Sequence, residues 1–248
     1  MGKAKEIIVK VIPSNIANEF VKKHHYSGKV VNNSKLHFGA FLDDHLHGVM
    51  SFGSPLDKRK VIHLVIDKEG QYVPWNDMLE LNRMAFDEYL PRNSESRCIS
   101  IAIKLIKKNA PNIKWILSFA DGQQCGDGTI YRASGFKLTG FSSGAMWELP
   151  DELAKLNNGR VAHRMKIQDK CSVISKYILS KTNGKNLTME RYVEKFGGKL
   201  LEGYNLRYIK ILDNNYKLNV EELPYSTIIE KNACMYKGKK INKIIEDK

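Results

Sequence analysis

Ile113-Lys114-Trp115-Ile116-Leu117-Ser118-Phe119-Ala120 is a near-continuous apolar run. It reads as a central strand with both faces covered. It ends at Asp121, and Gly122, Gly126 and Gly128 make the next segment a loop. Thr129–Ser134 then reads as a short helix stopped by Gly135. Upstream, Pro91-Arg92-Asn93-Ser94 is a turn and helix start. Cys98, Ile99, Ala102, Leu105 and Ile106 recur at helical spacing until Pro111. Farther out the same alternation continues. Glu6–Ile12 is a β-branched strand stopped by Pro13, and Ser14 caps a helix through His24 with Ile16, Phe20 and Val21 on one face. Leu36–Leu42 and Leu46–Phe52 flank Asp43-Asp44-His45 as a hairpin, and Val61–Ile66 is a further strand. Leu79–Phe86 alternates, with Leu79, Leu81, Arg83 and Ala85 on one side; an arginine there is unexpected for a core face. Phe136–Phe141 and Ala145–Leu149 read as a closing hairpin. The fold class is α/β, a mixed central sheet flanked by helices.

The chain has 248 residues and carries 40 Lys+Arg against 27 Asp+Glu, a net charge of +13. That length suits one large domain or a core with an appendage. Cys98, Cys125, Cys171 and Cys234 show no short CxxC spacing, which excludes a zinc ribbon and argues against a disulfide framework. No stretch approaches the ~18 apolar residues of a membrane span, so a cytoplasmic protein with no membrane partner is expected. The positive excess points to a polyanion, most often nucleic acid. It is uneven: Arg160–Lys199 holds ten basic and three acidic residues, half of the whole excess. Lys176, Lys181, Lys185 and Arg191 in that stretch are the expected DNA contacts, with Tyr177 and Tyr192 interleaved. The expected organisation is a catalytic core over 1–149, a basic, mainly helical nucleic-acid-binding segment over 150–202, and a strand/loop segment over 203–248 that packs back on the core as part of an α+β appendage.

The element order resembles the GNAT acyltransferase fold. The resemblance implies an acyl donor bound where two neighbouring strands splay, with its phosphates at the N-terminus of the long helix, here Asn93-Ser94-Glu95-Ser96. The glycine-bearing phosphate loop of that family is missing, because no glycine lies between Met84 and Ile99. A narrower resemblance rests on His25-Tyr26, Glu80-Leu81-Asn82-Arg83, Asn93-Ser94-Glu95-Ser96-Arg97, Ser118-Phe119-Ala120-Asp121 and Thr129-Ile130-Tyr131. Leu206-Arg207-Tyr208-Ile209 and Met235-Tyr236-Lys237-Gly238-Lys239 add to it. These motifs, in this order, resemble the Mom family of bacteriophage proteins that hypermodify DNA adenine. The resemblance implies a carbamoylmethyl group on adenine N6, which gives anti-restriction protection, and site positions at His25, Tyr26, Arg83, Ser96, Asp121 and Tyr131.

The resemblance would make Asp121 the base or amine-orienting group, Tyr131 the acid, and His25 with Tyr26 the grip on the base. Arg83, Ser96, Ser94 and Arg97 would hold the donor. Structural readings compete at several positions. His25 can end a helix, Arg83 can pair with Glu80 or Glu95, Ser96 can serve the first helical turn, and Tyr131 can be a core aromatic. Asp121 favours function because ligands bind beyond the carboxyl ends of such strands. His25, Tyr26, Asp121 and Tyr131 also form an oxygen-rich iron set, disfavoured because no HxxE or HxH spacing accompanies it. The substrate expected is double-stranded DNA with a flipped adenine, since N6 lies inside the base pair. Glycyl-tRNA is favoured over acetyl-CoA as donor, because a glycyl group already holds the nitrogen and oxidation level of the implied product; tRNA is then a second nucleic-acid partner. The sequence leaves oligomeric state open.

Overall fold

The computed structural model describes residues 3–123, 126–144, 146–231, 233, 235–236 and 239–240. Cys125, Cys234, Lys237 and Gly238 lie outside them. The core runs β1 (Ile8–Val11), α1 (Ser14–His24), β2 (Ser34–Leu42), β3 (His45–Gly53), β4 (Val65–Asp67), β5 (Met78–Phe86), α2 (Ser94–Asn109), β6 (Trp115–Asp121), α3 (Thr129–Ala133) and β7 (Lys137–Ser143). An insertion follows: β8 (Met146–Glu148), α4 (Asp151–Asn157), β9 (Val161–His163), α5 (Arg164–Ile167), α6 (Val173–Lys181), α7 (Met189–Phe196) and β10 (Lys199–Leu200). The chain then re-enters the core as β11 (Tyr204–Ile211), with β12 (Tyr216–Leu218) beyond it.

Seven strands form the main sheet in the order β1-β2-β3-β5-β6-β11-β7. All neighbours are antiparallel except β5 and β6. Side chains alternate across it. On one face Phe38, Met50, Phe52, Leu81, Ile116 and Ala120 pack under α2, whose Cys98, Ile99, Ala102 and Ile106 point inward. The opposite face has two separate covers. α1 lies over Val49 and Ala85, while Val61, Leu64 and Val65 lie over Met78, Trp115, Leu117 and Ile209. The mixed α/β sheet flanked by helices expected from the sequence is therefore present.

Four readings change. Residues 61–66 are not one strand: Ile62–Leu64 is a 3-10 turn and only Val65–Asp67 is extended. The closing hairpin does not form, because β7 pairs with β11 and β8 pairs with β9 and β10 in a separate three-stranded sheet. The reason is a second apolar cluster, where Trp147, Leu149, Ile174, Ile178, Met189 and Tyr192 bury together. Trp147 Nε1 also donates to the Gly197 carbonyl at 3.1 Å. Burial on both faces of β6 holds only to Ser118, and Phe119 is 40% exposed. Finally, Tyr192 is fully buried, so it is no free aromatic beside Arg191.

The insertion leaves and re-enters the sheet at one end. Ser143 at the end of β7 faces Tyr204 at the start of β11, and Asn205 faces Asp121. The basic segment is thus rooted at the end of the sheet that carries Asp121.

Candidate active site

β5 and β6 pair from Met78↔Trp115 to Leu81↔Ser118 and no further. Ser118 Oγ donates to the Leu81 carbonyl at 3.0 Å at the last rung. Beyond it β5 stays with β3 and β6 with β11, so the two strands part. This is the splay that the sequence reading placed beside the donor. Arg83 lies on one bank, Phe119 and Asp121 on the other.

A β-bulge sets the chemistry of the first bank. Ser51 faces Arg83 but Phe52 faces Leu81, so β5 holds the extra residue Asn82. The bulge shifts the alternation by one. Leu81 consequently packs under α2 while Ala85 packs under α1. Glu80 and Arg83, which a regular strand would send to opposite faces, share one. Burial pushes the Glu80 carboxyl up to about 7, against the opposing pull of the Arg83 guanidinium.

α1 delivers the next groups. Its C-terminal turn closes at Gly28, whose φ of +59° suits glycine and whose N–H donates to the His25 carbonyl at 2.8 Å. The His25 and Tyr26 rings lie 4.3 Å apart. Tyr26 Oη donates to Asp121 Oδ2 at 3.1 Å, while Asp121 Oδ1 accepts the Gln123 N–H at 3.0 Å. His25 Nδ1 accepts the Ser27 N–H at 3.1 Å. An amide N–H can only donate, so neutral His25 carries its proton on Nε2 and is a donor there. Burial, then the nearby Arg83 charge, lowers its pKa to about 4, which keeps it neutral. Arg83 Nε donates to the Lys29 carbonyl at 2.9 Å and Nη1 to its neighbour's, Asn82, at 2.7 Å. Arg83 therefore ties the loop after α1 to the bulge.

Two site groups escaped the sequence reading. Glu80 entered only as a structural partner for Arg83. His163, at the end of β9 in the insertion, was not singled out. Its Nδ1 accepts the Met165 N–H at 3.1 Å, which again puts the neutral ring's proton on Nε2. Burial lowers its pKa; Asp121 opposes that, while Lys29, Arg164 and Arg83 reinforce it. The insertion thus reaches the Asp121 site. No local spacing marks His163, because the pairing that brings it there spans the insertion.

The remaining expected residues lie elsewhere. Tyr131 is 7% exposed in the core under α2, 5.3 Å from the Tyr208 ring and 5.6 Å from Phe136. It belongs to the opposite face of the sheet from Asp121, not to an open loop. Ser94 is buried and its hydroxyl donates to the Pro91 carbonyl. Ser96 Oγ donates to the Asn93 carbonyl at 3.2 Å, and the Ser96 carbonyl accepts from Ser134 Oγ at 3.3 Å. Asn93, at φ 68°, supplies the left-handed turn that a glycine would otherwise give, and no side chain caps the helix. Arg97 Nη2 is spent on the Lys5 carbonyl at 3.1 Å. Lys176, Lys181, Lys185 and Arg191 are all exposed on α6, α7 and the loop between them. Tyr177 is held by Glu152 at 2.5 Å.

The profile of the Mom protein family matches residues 6–227, which takes in the split, the insertion and β11. The chain belongs to the Mom family. The protein named "Methylcarbamoylase mom" of Escherichia phage Mu is 37% identical to it over 150 residues, 60% of this chain. The chain spans 60% of the length of that Mom protein. Among solved structures, an acetyltransferase of Bacillus subtilis in complex with CoA has a TM-score of 0.44 at 10% identity, covering 84% of this chain and 99% of that one. An IAA acetyltransferase from Bacillus cereus has a TM-score of 0.43 at 11% identity, covering 83% and 99%. Likeness at that level adds nothing to the topology described above.

The candidate site so assembled holds a carboxylate that accepts a phenol, two imidazoles with Nε2 as donor, and a guanidinium that interacts with a carboxyl of raised pKa. Such a set can accept a proton, orient an amine and steady a developing oxyanion. Among the described residues no three His, Cys, Asp or Glu side chains converge as metal ligands.

Proposed function

We propose that the chain modifies adenine at N6 in DNA by acyl transfer. The observation that carries this reading is the Asp121 carboxylate, held by Tyr26 at the parting of β5 and β6, with His163 within its field and Arg83 within that of Tyr26. N6 is a poor nucleophile because its lone pair is delocalised into the ring. Asp121 orients the amine and accepts its proton as the C–N bond forms, and His25 Nε2–H and Arg83 steady the oxyanion. The proton that Asp121 takes passes on to the leaving oxygen; Tyr131, buried against Tyr208 and Phe136, supports the core beside this step. Ser94 and Ser96, at the start of α2, lie on the donor side. DNA lies along Lys176, Lys181, Lys185 and Arg191, with the adenine turned out of the duplex.

The donor is the glycyl ester of tRNA. N6 attacks its carbonyl and expels the ribose oxygen, leaving N6-glycyladenine. The free α-amine then adds to ring carbon C6 through a five-membered spiro intermediate. Cleavage of the bond from C6 to the original N6 leaves –NH–CH2–CO–NH2 on the ring, with no redox step. Acetyl-CoA lacks the nitrogen and would need an oxidant. Reconstitution with purified DNA and isotopically labelled glycyl-tRNA, with labelled acetyl-CoA in parallel, tests the reading by mass spectrometry of the nucleosides. Label from glycine in the modified base is expected. Label from acetyl-CoA alone overturns the donor; unmodified deoxyadenosine in DNA from cells that express the protein overturns the modification itself.

A further inference from the structure

Phe119 sits one residue past the last β5–β6 rung, in the middle of the sheet, yet it is 40% exposed. Its strand neighbours on the same face fix its surroundings. Leu117, two residues back, is buried beneath the Val61–Val65 cover. Asp121, two residues on, is the carboxylate that accepts Tyr26. Across the ladder on β11 stands Arg207, held flat by Thr139, with Nε on its hydroxyl at 3.1 Å and Nη2 on its carbonyl at 2.6 Å. On the other side β5 has moved away. Phe119 is thus an exposed aromatic on the face that carries the Asp121 carboxylate, with the Arg207 guanidinium across the ladder. A protein partner needs a far larger apolar patch than one ring.

We infer that Phe119 is the stacking platform for the turned-out adenine. The inference rests on the modification reading above and assigns that site its base-binding surface. Spacing supports it. Same-face neighbours on a strand lie about 6.6 Å apart. A hydrogen bond from N6 to Asp121 takes about 2.9 Å of this. What is left, under about 4 Å, is roughly the distance from the middle of a purine to its exocyclic nitrogen. A base centred on Phe119 therefore offers N6 to Asp121, and its polar edge faces Arg207. Stacking is tolerant of base identity. Asp121 adds discrimination, since it accepts from the exocyclic amine of adenine or cytosine and repels the carbonyl oxygen of guanine or thymine in its place.

The experiment compares unaltered protein with Phe119→Ala and Phe119→Trp. Affinity is measured for a single-stranded deoxyadenosine 12-mer, for the same 12-mer made entirely of abasic sites, and for adenosine monophosphate and coenzyme A. Loss of one base–aromatic stack weakens binding roughly 5- to 150-fold. Phe119→Ala should lose that much for the adenine 12-mer and nothing for the abasic one, and Phe119→Trp should keep it. Near-ultraviolet circular dichroism and melting monitor the fold, and Phe119→Trp reports on the position if Phe119→Ala does not fold. Unchanged affinity in Phe119→Ala, equal losses on both 12-mers, or a loss confined to coenzyme A and adenosine monophosphate overturns the inference. If the adenine contrast tracks Phe119 while cells make no modified base, the platform stands and the modification reading falls.

Discussion

Glu80 and His25 both interact with Arg83 and have pKa values displaced in opposite directions, so their joint contribution to stability should be almost independent of pH, where that of a single variant is not. Glu80 is raised from 4.5 to about 7. The folded state then holds its proton more tightly than the unfolded state, so this contribution is full below pH 4.5 and is lost as pH rises towards 7. His25 is lowered from 6.5 to about 4. The folded state refuses its proton, so that contribution is full above pH 6.5 and is lost as pH falls towards 4. Each displacement corresponds to a ceiling of about 3 kcal/mol. Water at these partly exposed groups cuts that to about 1–2 kcal/mol. Between pH 4.5 and 6.5 the two slopes oppose and largely cancel. Glu80→Gln removes the falling term, so its stability should rise with pH relative to the unaltered protein. His25→Gln removes the rising term, so its stability should fall with pH relative to the same reference. His37 and His163 are also lowered by burial, and their rising terms are common to all three proteins. Urea unfolding at pH 4.5, 5.5 and 6.5 reads the slopes. A Glu80→Gln profile parallel to the parent, or a His25→Gln profile no more downward than the parent, would refute the burial that displaces these two groups.

Asp121→Asn should abolish modified adenine in cellular DNA while unfolding free energy changes by less than about 1 kcal/mol, because the side chain is only partly buried. Tyr26→Phe, which is 55% exposed and loses one hydrogen bond, should leave stability alone and lower the modification rate. Reversing Lys176, Lys181 and Lys185 to Glu should weaken DNA binding and flatten its salt dependence, at a slope of about −0.9 per phosphate contact, with unchanged melting; unaltered affinity would remove α6 and the following loop from the interface. Trp147→Ala empties a fully buried position in the insertion and removes its bond to Gly197; it should cost about 3–5 kcal/mol by urea unfolding.

What the sequence disclosed follows from how local each signal is. The apolar run Ile113–Ala120 and the spacing of Cys98, Ile99, Ala102 and Ile106 identify a covered strand and its helix, because one face or two are buried along their length. The puzzle of an arginine beside Leu81 and Ala85 was real but could not be resolved from the pattern. A bulge at Asn82 moves those two residues to opposite faces, and bulges leave no fixed residue signature. The closing hairpin failed because strand pairing is decided by partners far along the chain: β11 outcompetes β8 for β7. Tyr192 was legible after all. Met189, Tyr192, Val193 and Phe196 fall at i, i+3, i+4 and i+7, the buried stripe of an amphipathic helix. Its neighbour Arg191 drew the reading towards nucleic acid instead.

The division of the proposed site between two faces follows from where β5 and β6 part. Paired strands seal one face of a sheet from the other; beyond Leu81↔Ser118 that seal is gone. Asp121 and Phe119 stand on the face with α1, and Tyr131 stands on the face with α2 and α3, beside the start of α2 at Ser94–Ser96. An acceptor base on the first face and a donor ester on the second can meet only through the gap; Ser94 and Ser96 lie on the donor's side, while Arg83 stands on the acceptor's. The insertion completes the arrangement because β7 and β11 both meet it at the Asp121 end. A polyanion bound along α6 and α7 is held at that end, where His163 and Arg83 provide the cationic and hydrogen-bonding approach to the gap. Moving the insertion to any other loop would strip the first face of both its proposed DNA contacts and His163.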